Sequence, residues 1–117
     1  MVREINILDA KDIQEICKDE LGYNVDIKTV KTQIEKLSID YEHHIIAVYE
    51  DKKTSKVVGF VHAEMYESLY SDVGLNILGL AVESSFQGKG IGQSLMKFIE
   101  EIALKNNAYH SLFYIFR

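Results

Sequence analysis

The chemistry in this chain concentrates in one short segment, Gln87-Gly88-Lys89-Gly90-Ile91-Gly92. It follows an apolar run of strand length, Asn76-Ile77-Leu78-Gly79-Leu80-Ala81-Val82-Glu83, and the polar step Ser84-Ser85-Phe86. A long amphipathic segment opens directly behind it. Strand, glycine turn and helix in that order suit an anion such as a phosphate. The first turn of a helix leaves backbone N–H groups without partners, and the helix dipole adds roughly half a positive charge there. Glycine lets the backbone approach the anion with no side chain between them. A turn that merely starts a helix, with no ligand, is the plainer alternative. The spacing excludes two common phosphate motifs. A P-loop needs Ser or Thr after its lysine, and Lys89 is followed by Gly90. A dinucleotide fingerprint is G-x-G-x-x-G, whereas glycines stand here at 88, 90 and 92. The pattern that remains is Gln-x-x-Gly-x-Gly at Gln87, Gly90 and Gly92.

A second group of chemically able residues lies on the strand before. Period two puts Val58, Phe60, His62, Glu64 and Tyr66 on one face. Val57, Gly59, Val61, Ala63 and Met65 fall on the other, which is core-like. His62, Glu64 and Tyr66 in a row can line a cleft for an amine, or simply meet bulk water. Alternation alone does not distinguish the two. The tandem His43-His44 suggests a metal. However, neighbouring strand residues point to opposite faces and do not chelate one ion, and no other Cys/His/Asp cluster has ligand spacing. No metal site is expected.

The elements that must position these groups follow from periodicity. Val2 to Leu8 reads as a first strand. Asp9 then caps a helix, with Asp12 as the acid of a loose capping box. Ile13, Ile16, Cys17 and Leu21 form that helix's apolar face, and Gly22 ends it. Cys17 reads as a buried small hydrophobe. A second helix runs from Asp26 to Leu37 on Val30, Ile34 and Leu37. Tyr23, in the turn between them, either packs on the helix pair or faces a cleft. His43 to Glu50 and Lys56 to Glu67 read as a hairpin, with Asp51 to Ser55 as its loop. Glu67 to Gly74 reads as a loop and Leu75 to Glu83 as the central strand. A helix from Gly88 to Asn106 carries Ile91, Leu95, Ile99 and Ile102, and a last strand covers Ser111 to Phe116.

The 117 residues suit a single domain over 1–117, large enough to bury one core. A net charge of −5 argues against general nucleic-acid binding, which favours basic surfaces. It suits a cationic amine partner as well as ordinary solubility. One cysteine cannot form an internal disulfide, which fits a reducing cytoplasm. No apolar run approaches membrane-spanning length, and no signal segment opens the chain.

With its preceding Leu80-Ala81-Val82, the motif resembles the acyl-CoA-binding core of the GNAT superfamily of N-acetyltransferases, [Arg/Gln]-x-x-Gly-x-[Gly/Ala]. The likeness extends from Val2 to about Tyr114. It implies an α+β, three-layer α/β/α domain with a mixed, mostly antiparallel sheet. It further implies acetyl-CoA as cofactor, held by Leu80, Ala81, Val82, Gln87, Gly88, Lys89, Gly90, Ile91 and Gly92. The activity implied is acetyl transfer to an amine of a small molecule or peptide. A catalytically silent CoA-binding or dimerisation module of shortened GNAT type is the alternative, and a structural fragment that no longer binds CoA a third. Some family members place a glutamate base where Asn76 stands. Asn accepts no proton, so Glu64, with His62 beside it, is the expected catalytic residue. The family continues with a helix and strands that carry an Asn and an acidic Tyr, and neither is assignable here. An apolar last strand at a sheet edge favours a homodimer.

Overall fold

The computed structural model describes residues 1–107 and 113–116, with side chains for all of these except 71, 72, 106, 107 and 113–116. Five strands, β1 (Val2–Glu4), β2 (His44–Glu50), β3 (Val57–Ser68), β4 (Ser71–Val82) and β5 (Phe113–Phe116), form one sheet in the order β1-β2-β3-β4-β5. All neighbours are antiparallel except β4 and β5, which run parallel. The helices are α1 (Ala10–Leu21), α2 (Ile27–Ile39) and α3 (Ile91–Asn107). This is the α+β architecture expected from the sequence. Of the expected last strand, Ser111 and Leu112 lie outside the described residues.

The first strand is shorter than its alternation suggests. Asn6 caps a 3-10 turn at Ile7–Asp9, accepting from the Leu8 N–H at 2.9 Å, while Asp9 accepts from the Asn6 N–H at 2.9 Å. Short polar side chains compete in this way with the sheet ladder for the backbone. Asp9 therefore does not cap α1 with its side chain. It turns back to Arg3, whose Nη1 and Nη2 donate to it at 2.9 and 2.8 Å. Asp12 is no capping-box acid either. It accepts from the Val57 N–H at 3.0 Å and ties α1 to the start of β3. Gly22, with φ of 74°, ends α1 in the left-handed conformation. Asp26 caps α2 through the Lys28 N–H at 2.8 Å, and the helix runs past Leu37 to Ile39.

The core has two layers. Ile91, Leu95, Ile99 and Ala103 of α3 bury against Ile45, Ala47, Val61, Ala63, Leu75 and Ile77. Ala103, rather than Ile102, completes the buried stripe. On the other face Ile13 and Ile16 of α1 pack on Val48, Val57, Phe60 and Ala81. Full burial of each such aliphatic side chain contributes about 1.5–3 kcal/mol.

Two of the sheet's three register shifts set which residues face which layer. Tyr49 pairs with Gly59 but Glu50 pairs with Val57, so Val58 is an extra residue on β3. Such a bulge exchanges the faces on either side of it. Val57 joins Phe60 beneath α1, and Val58 joins Val61 beneath α3, which corrects strict alternation. A second bulge lies on β4: His62 pairs with Gly79 and Ala63 with Ile77, leaving Leu78 extra. The stretch read as a loop, Glu67 to Gly74, is mostly strand. Ladder pairs Met65–Leu75, Tyr66–Gly74 and Ser68–Ser71 extend the hairpin to a turn at Leu69 and Tyr70. Backbone pairing holds this extension, which is why its polar side chains do not announce it.

Candidate active site

The strand-to-helix turn adopts the form its glycines allow. β4 ends at Val82, a 3-10 turn covers Ser84–Phe86, and Gly88 and Gly90 take φ of 80° and 81°. Gly90 closes the turn, its carbonyl accepting from both the N–H and the hydroxyl of Ser94 at 3.0 Å. Among the described residues, no N–H from Gly88 to Gln93 finds a partner within the chain. A Cβ built at Gly88, Gly90 or Gly92 would meet nothing within 4 Å. The donors thus open on free space at the positive end of α3, a local surplus of positive potential.

Gln87 straps the turn to the strand end. Its Nε2 donates to the Val82 carbonyl at 2.9 Å and to Glu20 at 3.4 Å. Glu20, at the end of α1, also accepts from the Ser84 N–H at 3.1 Å and from its hydroxyl at 2.9 and 3.0 Å. A 460 Å³ concavity bounded by Phe86, Gln87, Gly88, Gly90 and Gly92 adjoins one of 280 Å³ bounded by Glu20, Leu21, Leu80 and Ala81. Val82, Gln87 and Gly92 line both, so a groove leads from the glycine turn along β4. Of the sequence-selected residues, Lys89 is not among those lining either concavity, and Ile91 lines the first with a buried side chain. The Ile91 side chain belongs to the core beneath α3. The Lys89 ammonium lies 5.2 Å from the centre of the Phe86 ring.

Among the described residues, β5 pairs with Gly74 to Ile77, so no parallel neighbour is seen for β4 beyond its bulge. The Glu83 N–H donates to Val58 at 2.8 Å, so Glu83 faces β3. Strand alternation then directs the N–H groups of Val82 and Leu80 to the side away from β3, into the splay.

Across β2, β3 and β4 lies a polar row. His62 stands opposite Gly79 beside the bulge, and Glu64 opposite Asn76. Asn76 is buried, and its Nδ2 donates to Glu64 Oε1 at 3.1 Å. His62 Nε2 and His44 Nδ1 lie in hydrogen-bond contact at 2.9 Å, their rings 5.1 Å apart and tilted by 49°. His62 and Glu64 lie two residues apart on one face of β3, and neither is among the residues lining the groove at the glycine turn. Periodicity along single strands did not find His44. The available signal is the shared face of His44, Ile46 and Val48. Its neighbour His43 lies on the surface, 2.7 Å from Asp40, which raises its pKa. Tyr23 is 63 % exposed and does not pack between the helices. Among the described residues no cluster suits a metal ion, and no helix is long and apolar enough to cross a membrane.

Burial, then the neighbouring His44, lowers the His62 pKa from 6.5 to about 4, with Glu64 opposing. Between those values the unfolded chain takes up a proton that the fold refuses. Stability is therefore lost as pH falls from 6.5 towards 4, and is unaffected by this group above 6.5. Relative to His62→Gln, the parent is expected to lose on the order of 3 kcal/mol across that window. Urea unfolding of both proteins at each pH measures it. Parallel curves would show that the folded imidazole protonates freely.

A mixed sheet splays beside a glycine-rich helix start and leaves an anion-ready groove at the splay. The sequence profile described as "Acetyltransferase (GNAT) family" matches residues 10–116, and the chain belongs to that family. The glucosamine-6-phosphate N-acetyltransferase from Arabidopsis thaliana superimposes with a TM-score of 0.79 at 18% identity, covering 97% of this chain and 80% of that one. A GNAT family acetyltransferase from Staphylococcus aureus subsp. aureus USA300_TCH1516 gives 0.75 at 20% identity, covering 97% and 84%. A ribosomal-protein-alanine N-acetyltransferase from Brucella melitensis biovar Abortus 2308 gives 0.73 at 12%, covering 98% and 79%. At such identities the likeness is one of fold. A sequence comparison with curated proteins gives no match.

Proposed function

We propose that this chain transfers an acetyl group from acetyl-CoA to the primary amine of a small molecule or peptide. The observation that carries the reading is the run of unpartnered N–H groups from Gly88 to Gln93, opening on a groove that leads to the β4 splay. Gly88, Lys89, Gly90, Ile91 and Gly92 would hold the pyrophosphate through their backbone, with Gln87 bracing the turn. Leu80, Ala81 and Val82 would line the path of the pantetheine arm, the outward N–H groups of Leu80 and Val82 meeting its oxygens and that of the acyl group. Preorganised donors of this kind supply a large share of catalysis. When bound, acetyl-CoA supplies the activated thioester.

Glu64 and His62 act on the acceptor. The Glu64 carboxylate draws in an ammonium, whose pKa resembles that of lysine at about 10.4. It must lose a proton before it can attack, and a positioned base is worth about 10²–10⁴ in rate. Release of CoA thiol across a panel of amines tests the reading. CoA binding without turnover would make the chain a silent module, and absence of both would leave only a scaffold.

Glu20 bears on the same site. Its carboxylate forms part of the groove wall beside a polyanion's approach. Glu20→Gln keeps an acceptor for Ser84 and removes the charge. CoA is expected to bind about 3–10-fold more tightly at low salt, with the gain fading near 0.5 M. Calorimetry at two salt concentrations reads this, and identical affinities at low salt would rule out the charge effect.

A further inference from the structure

We propose that the open edge at the start of β2 docks an extended peptide segment carrying a basic residue, which adds to the sheet where β1 leaves it. The site shares no lining residue with the glycine-turn groove and stands whether or not the chain transfers acetyl groups. β1 pairs with Ala47, Val48 and Tyr49, and the last bond on that side runs from the Ile5 N–H to the Ile46 carbonyl at 3.2 Å. The chain then turns away, because Asn6 caps the 3-10 turn that follows. β2 itself reaches back to His44. Successive residues of a strand direct their N–H and C=O groups to opposite neighbours. The His43 carbonyl accepts from Met65 of β3 at 2.7 Å, so His44 and Ile46 face the side that β1 vacates. The Ile46 N–H and the His44 carbonyl both lack a partner among the described residues.

These two groups suit one residue of an incoming strand. Aligned parallel to β2, that residue donates its N–H to the His44 carbonyl and accepts from the Ile46 N–H through its own carbonyl. A small molecule that offered both bonds would need the same extended amide geometry. Main-chain bonds of this kind give affinity to peptides that add to a sheet edge, and pockets for alternate side chains give selectivity.

Both features are present here. The edge opens into a 210 Å³ concavity bounded by Ile102 on the α3 side and by Ser38 and Tyr41 at the end of α2. Side chains of an added strand would alternate between these two walls. Ile45 and Ile46 supply an apolar floor, which suits β-branched residues. Glu4 also lines the concavity. It is exposed and has no ion pair among the described residues, in a chain whose net charge is −5. A carboxylate left free beside the edge selects a segment with a lysine or arginine over an acidic one. The ring of His44 is already engaged by His62, so the docking role of His44 belongs to its carbonyl alone.

The test titrates the isotope-labelled full chain with acetyl-Thr-Val-Lys-Val-Thr-amide, followed by NMR. The amide signals of Ile45 and Ile46 are expected to shift and saturate, while those of Gly88 to Gln93 stay in place. Two further peptides carry N-methyl groups, one on both valines and the other on the lysine and both threonines. Alternate amides of an extended chain face opposite edges. One of the two peptides should therefore bind about 3–10-fold more weakly and the other as the unmethylated peptide does. Exchanging the peptide's lysine for glutamate, or Glu4→Gln in the protein, should weaken binding about 2–5-fold at low salt. Still signals at Ile45 and Ile46, or equal binding of the two methylated peptides, overturn the proposal. Signals of Ile46 that move with protein concentration alone also overturn it, and give the edge to a second copy of the chain. Failure of acetyl transfer changes none of these outcomes, so the two readings fall separately.

Discussion

Valine in place of Gly90 is expected to weaken CoA binding by about 10²-fold or more while the protein stays folded. Gly90 sits at φ of 81°, a conformation that a β-branched residue reaches only under strain. The strain is of order 1–3 kcal/mol, enough to pull the turn toward negative φ and re-aim its N–H groups. A Cβ there meets no protein atom within 4 Å, so the damage is not a clash in the core. The new side chain projects instead into the space kept for the anion. Ile91, Leu95 and Ile99 continue to anchor α3, so circular dichroism should change little. Gly92 is the control. It lies inside α3 with open space around it and no left-handed φ, and alanine there favours the helix by about 1 kcal/mol. Gly92→Ala should bind within a few-fold of the parent. Calorimetric affinity unchanged in Gly90→Val would remove the glycine turn from the cofactor site.

The second large effect is expected at Glu64. Glu64→Gln should lower kcat/KM at pH 7 by about 10²-fold. The substitution is clean because the Gln side-chain oxygen can still accept from Asn76 Nδ2, as Glu64 does at 3.1 Å. Orientation is kept, and the charge that gathers the ammonium is lost. The deficit should shrink as pH rises and the free amine fraction grows, since less depends on deprotonation within the site. A pH profile superimposable on the parent's would exclude Glu64 and leave His62 as the next candidate. Asn76 predicts the reverse pattern. It carries no proton to give or take, so removing it should blur the position of Glu64 rather than abolish the pH dependence.

Local chemistry made the glycine turn legible before any coordinates. Gly88 and Gly90 are needed where the backbone turns left-handed, Gln87 stands one residue before, and Ile91, Leu95 and Ile99 repeat at helical spacing within one continuous stretch. α1 and α2 were legible for the same reason, through Gly22 and Asp26 at their ends. The polar face of β3 was half legible. Period two placed His62 beside Glu64, but gave no sign whether they met water or other strands.

What only the tertiary structure decided lies in contacts between distant residues. His44 meets His62 across 18 positions, and Glu20 meets Ser84 across 64. Nothing local to either partner encodes the other. The bulges at Val58 and Leu78 are of the same kind, because an extra residue is extra only relative to the strand it faces. They exchange the faces of β3 and β4, and the second lies just past the described pairing of β4 with β5. Sequence determined the anion-ready turn and the helix behind it, because backbone conformation and helix phase depend on neighbours within a few residues. Fold determined which carboxylate, amide and imidazoles meet in the polar row across β2, β3 and β4, because strand register is settled by pairing along the whole sheet.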